Sequence, residues 1–163
     1  MKETLSLLFA LFCSMFLAAE SFPECSDARE WNLVQADKRS QRLLPPQSGN
    51  GFLLELDESV FPYAELQLKK ARRLPELREG EFLLTVTLEK PEAIRSFSLR
   101  LTDRDKEFFQ FPQQPVQLVR GKNRILFRIG ENEQKTSWGR KGKTNRKIDY
   151  PLSLAGITCR VRP

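Results

Sequence analysis

Histidine is absent from the 163 residues, and tryptophan, tyrosine and methionine occur only twice each. Without an imidazole there is no Ser-His-Asp or Cys-His nucleophile pair, no HExxH zinc site and no imidazole general base. Any catalysis would fall to carboxylates, lysine, tyrosine or a bound metal. The most apolar stretch, LSLLFALFCSMFLAA at residues 5–19, has 15 residues, short of the roughly 20 that cross a bilayer. What the chain does have is enough apolar material, 40% hydrophobic and 10% aromatic, for one domain with one core.

The apolar run has the length of a secretory h-region, and Lys2 supplies the n-region charge. Ala18 and Ala19 offer a small residue at the cut, although Phe16 and Leu17 only half satisfy the small-x-small pattern. Residues 1–19 are therefore expected to be a signal peptide and residues 20–163 a single domain, secreted or periplasmic. An uncleaved anchor or a buried N-terminal segment is the other reading. Cleavage leaves Cys25 and Cys159 near the two ends of the mature chain. Two cysteines in an exported protein invite a disulfide; two buried free thiols are the alternative.

The mature part alternates with a period of two. Phe52, Leu54 and Leu56 fall on one side of a strand, as do Ala64, Leu66 and Leu68, then Phe82, Leu84, Val86 and Leu88. The pattern continues in Phe97, Leu99 and Leu101, with Ser98 and Arg100 pointing the other way, then in Phe109 and Phe111, with Phe108 on the outer side. Ile125, Phe127 and Ile129 follow, and finally Ile157, Cys159 and Val161. Turn signals separate these runs, among them Glu79-Gly80, Lys90-Pro91, Asp103-Arg104-Asp105 and Ala155-Gly156. Seven or more short strands without long helices predict an all-β fold, a two-layer antiparallel β-sandwich. Jelly-roll topology is expected first and an immunoglobulin-like sandwich second. Trp31 is expected to pack on the core. Residues 71–79 have room for a helical turn that Pro75 interrupts. Residues 39–51, with two prolines, read as a loop, and so do residues 130–147, which hold Trp138 in a polar setting.

Two pieces of sequence carry a likeness. SFSLRLTDRDKEFFQF from Ser96 places a charged hairpin between a strand ending in Asp103 and an aromatic strand. SWGRKGKTNRKIDYPLSLAGITCRV from Ser137 joins a Trp-Gly loop to Ile148-Asp149-Tyr150-Pro151 and a Gly turn into the last strand. Together they resemble galactose-binding-like jelly-roll domains, which include the carbohydrate-binding modules found beside glycoside hydrolases. The resemblance covers residues 51–162 and implies sugar binding. Many members of that group bind a structural calcium near the first and last strands. Here the last strand, Thr158-Cys159-Arg160-Val161-Arg162, has no carboxylate, so no metal and no cofactor are expected.

Between positions 120 and 147 ten basic residues face only Glu131 and Glu133, a net of +8. Such a patch attracts anionic polysaccharide or an anionic envelope surface, and export makes nucleic acid the weakest candidate partner. A solvated face that only keeps the protein soluble is the plain alternative. Indole rings pack on flat apolar surfaces such as a pyranose face, so Trp138, with Arg140, Lys141, Asn145 and Arg146 as polar neighbours, is the candidate ligand contact. A Trp folded back over a sheet edge is the competing reading. Carboxylate pairs such as Asp103 with Asp105 sit in turns and suit turn chemistry better than a glycosidase cleft. The expected function is a non-catalytic carbohydrate-binding protein, not an enzyme. The rival is an envelope-associated structural or adaptor protein docking through its basic face on an anionic surface or a partner protein.

Overall fold

A computed structural model describes residues 4–15, 18–21, 27–34, 41–44, 52–57, 63–139 and 144–162. Its strands, in chain order, are β1 (Thr4–Met15), β2 (Ala18–Ser21), β3 (Trp31–Val34), β4 (Gln41–Leu44), β5 (Leu53–Asp57) and β6 (Tyr63–Leu74). They continue as β7 (Gly80–Leu88), β8 (Ile94–Thr102), β9 (Phe108–Pro112), β10 (Gly121–Ile129), β11 (Thr136–Trp138) and β12 (Leu152–Val161). Two six-stranded sheets result. The first runs β10-β7-β1-β5-β4 with β2 added to β1, and the second β11-β9-β8-β12-β6-β3. Every pairing is antiparallel, as the all-β expectation required.

The seven alternating runs coincide with strands, Phe52 standing just before β5, and among the described side chains their inward residues meet in one core. Phe82, Leu84 and Val86 of β7 and Ile125 and Phe127 of β10 join Phe97, Leu99 and Leu101 of β8 and Phe109 and Phe111 of β9, all with no exposed surface. Each such side chain contributes about 1.5–3 kcal/mol when fully buried. Trp31 is buried as expected, its ring 5.8 Å from that of Phe52. The chain passes from the second sheet to the first at Gln113. Its Oε1 accepts from Phe97 N at 2.7 Å, its own N–H donates to Phe97 O at 3.1 Å, and it bridges to Phe127 of β10.

Several local expectations are corrected. Gln41–Leu44, inside the expected loop at 39–51, pairs with β5 as β4. Residues 71–74 hold no helical turn: β6 runs on to Leu74, and Arg72, Arg73 and Leu74 stand opposite Leu154, Ser153 and Leu152. Within residues 130–147, Thr136–Trp138 is a strand. Backbone pairing, which needs no apolar side chain, fixes all three. Most of the expected signal peptide forms β1. One edge of β1 pairs with β7 from Leu7 to Ser14, and the other with β5 at residues 4–8 and β2 at residues 12–15. Cys159 is a buried free thiol, its pKa pushed up by burial. Its expected partner Cys25 lies outside the described residues.

Candidate functional site

Trp138 sits at the end of an edge strand, not in a loop, and directly opposite Phe108 of β9. Directly opposed residues of an antiparallel pair share a face. The two rings lie almost parallel, 4° apart in plane, with centroids separated by 5.4 Å. Trp138 keeps 36% of its surface exposed, and Phe108 is partly exposed. Arg100 of β8 lies on the outward side because Leu99 and Leu101 point into the core. Its guanidinium carbon is 4.9 Å from the centre of the Trp138 ring, within cation–π range.

The same guanidinium is held from two other strands. Arg100 Nε donates to Gln110 Oε1 of β9 at 3.0 Å, and Nη1 forms an ion pair with Glu65 Oε1 of β6. The Arg100 and Glu65 side chains are 15% and 13% exposed, so this pair is partly shielded from solvent. Gly156 of β12 lies in register between Arg100 and Gln67. A Cβ there would stand 2.2 Å from Leu66 O, so the position must be glycine and has no side chain to separate Arg100 from Glu65. Two residues along β12, Thr158 stands opposite Ser98 and Glu65; it is buried, and among the described residues its Oγ1 has no hydrogen-bond partner. The outward face of the second sheet thus joins two aromatic rings, a compensated ion pair, an amide and hydroxyls.

Beside it, two buried carboxylates clamp the turn at 103–107 to the loop at 144–149. Asp103 accepts from Glu107 N at 2.8 Å and Asp149 N at 3.3 Å, while burial raises its pKa above the ordinary aspartate value. Glu107 accepts from Thr144 Oγ1, from Asn145 N at 3.0 Å and from Arg146 N at 3.1 Å. Two of the five sequence-derived contact residues belong to this clamp. The Asn145 amide donates to Asp149 Oδ2 at 2.7 Å and accepts from Lys147 N at 2.7 Å, and Arg146 takes a left-handed φ of 62°. Both are bound into the loop's own structure, and among the described residues neither contacts the Trp138 ring. Arg140 and Lys141 lie outside the described residues. Phe108 and Arg100 are the partners that Trp138 does have. Their outward parity in the alternation is visible in sequence, but their meeting with Trp138 depends on the pairing of β9 with β11.

The described basic residues of 120–147 do not gather on one face. Lys122 and Arg124 project from the exposed side of β10, on the first sheet, where Arg128 pairs with Glu81 at 3.3 Å. Lys135 and Arg146 belong to the connections flanking β11. Among the described residues no group of three or more Cys, Asp or Glu is placed to hold a metal ion. No helix among them is long and apolar enough to cross a membrane. Neither a protein-family model, a curated protein nor a solved structure matches the chain.

Proposed function

We propose that this protein is a secreted, non-catalytic carbohydrate-binding protein with jelly-roll topology, and that sugar is held on the outward face of the second sheet. The observation that carries this reading is the parallel Trp138–Phe108 pair with Arg100 beside it. Aromatic rings accept the C–H faces of a pyranose. Arg100, Glu65 and Gln110, already oriented by one another, then supply donors and acceptors for hydroxyls. A few fixed polar groups around an aromatic surface are what orientation-specific binding of a small ligand requires. Asp103, which a hydrolytic pair would use, has both oxygens occupied by backbone N–H groups.

The test is Trp138→Ala, followed by glycan titration and thermal unfolding. Loss of a stacked aromatic contact is worth about 1–3 kcal/mol by analogy with bases on aromatic residues, a roughly ten- to hundredfold weakening. Loss of the ring pair should cost the fold about 0.5–1.5 kcal/mol, a few degrees in melting temperature. Unchanged glycan binding with lowered stability would reduce Trp138 to a cover for the sheet edge. Lys122 and Arg124, side by side on β10, favour a second reading, docking on an anionic envelope surface. That binding would fade as salt shortens the Debye length below about 8 Å, whereas stacking on Trp138 would persist.

A further inference from the structure

Resting on that reading, we infer that the face takes an uncharged glycan and discriminates against uronate- and sulfate-bearing ones, with Glu65 as the residue that sets the preference. The whole-chain charge of +6 points towards an anionic ligand, yet the site itself does not. The cation beside Trp138 is Arg100, and its charge is already matched by Glu65 across Gly156. Among the described residues, the exposed cations Lys122 and Arg124 stand on the other sheet, and Arg160, exposed on β12, stands opposite Tyr63 and Ser96.

A ligand carboxylate approaching Arg100 therefore meets Glu65 at a similar distance, and repulsion offsets attraction. Displacing Glu65 from the guanidinium would strand a partly shielded carboxylate without a partner, an unfavourable exchange. A neutral sugar meets neither obstacle. Its hydroxyls can donate to Glu65, while Gln110 accepts from Arg100 and keeps the guanidinium oriented.

The experiment is calorimetric or affinity-electrophoretic titration of the wild-type protein and of Glu65→Gln. The probes are a panel of neutral oligosaccharides and a length-matched panel of oligogalacturonates and sulfated oligosaccharides, at low and high salt. The wild type should bind at least one neutral oligosaccharide about tenfold more tightly than any anionic probe, with little response to salt. Glu65→Gln keeps the shape but frees the Arg100 charge, so neutral affinity should fall about tenfold and anionic affinity should rise about tenfold and become salt-sensitive. Thermal unfolding of the variant shows whether its fold is intact, and the wild-type selectivity decides the question even if it is not. Tighter, salt-sensitive binding of anionic probes by the wild type would overturn this inference and leave carbohydrate binding standing. Binding of no probe by the wild type would overturn both.

Discussion

The outward faces of the two sheets are built from the same alternation and end with different chemistry. On the first sheet, β10 presents Lys122, Arg124 and Arg128, and of these Arg128 is paired with Glu81. On the second, the outward row holds Phe108, Trp138 and Arg100, whose charge Glu65 matches, with Arg160 exposed further along β12. One face carries a basic stripe on an edge strand, and the other an aromatic pair beside a matched ion pair, drawn from several strands. The lesson is that a charge count along the chain does not locate a binding face. Residues close in sequence at 120–147 are divided between sheets, while Glu65, Arg100 and Trp138, far apart in sequence, meet.

The largest effect that would sharpen this contrast is steric. Gly156→Ala places a methyl 2.2 Å from Leu66 O in the middle of the second sheet. We expect a loss of about 3 kcal/mol, as for severe overpacking, and a fall in melting temperature of about 6–12 °C. Gly121, where β10 begins on the first sheet, has open space but a φ of +96°. Gly121→Ala should therefore cost only about 1–2 kcal/mol, through backbone strain. Equal losses in thermal unfolding would show that the second sheet gives way at Gly156.

Next is the division of binding between the faces. The double variant Lys122→Gln, Arg124→Gln should leave neutral-glycan affinity within about twofold of wild type, while Trp138→Ala weakens it ten- to hundredfold. The reverse order in parallel titrations would move the binding face to the first sheet.

The smallest effect concerns the support of the site. Asp103, buried beside β11's loop, should titrate above the usual aspartate value of 3.8, and Asp27, exposed and bonded to Arg29 at the other edge of the second sheet, near 2. For Asp103 the raised folded pKa means that stability falls as pH rises from the unfolded pKa through the folded one. For Asp27 the sign is opposite, with stabilisation present above the unfolded pKa and lost as pH falls towards about 2. Carboxyl-carbon NMR titration would check both. An Asp103 that titrates normally would mean the clamp behind the site is open to water.

The inward rows were legible because a half-buried strand announces itself by alternation, as Phe82 to Leu88 and Phe97 to Leu101 do. β4 and β11 were not: Gln41–Leu44 and Thr136–Trp138 are too short to show a period, and backbone bonds to a neighbour define them. The charged run Lys69 to Arg73 hides the far end of β6 because all five residues are exposed where the register against β12 shifts, and Leu74 beyond them returns to the core. At the site, Trp138 was readable as a surplus aromatic, but its companions were not. Phe108 and Arg100 reach it through cross-strand register, and register is a property of the assembled sheet, invisible along one strand. The loop bonds of Asn145 and Arg146 were hidden for a related reason: polar residues in a loop are often spent on holding that loop.

The position of β1 gives the proposed loss of residues 1–19 a topological side. Adjacent strands lie about 4.8 Å apart, and β1 separates β5 and β7 around Leu7 and Leu8, each of which pairs with both neighbours. Cleavage after residue 19 would take out that whole strand and half of β2, so that β7 would lose its partner from Leu88 to Glu81 and β5 its partner from Leu53 to Asp57. A sheet with a strand missing has an open seam, two rows of backbone donors and acceptors that must find new company. The chain with and without residues 1–19 would thus form different sheets, and the closing of that seam would be a step in its own right.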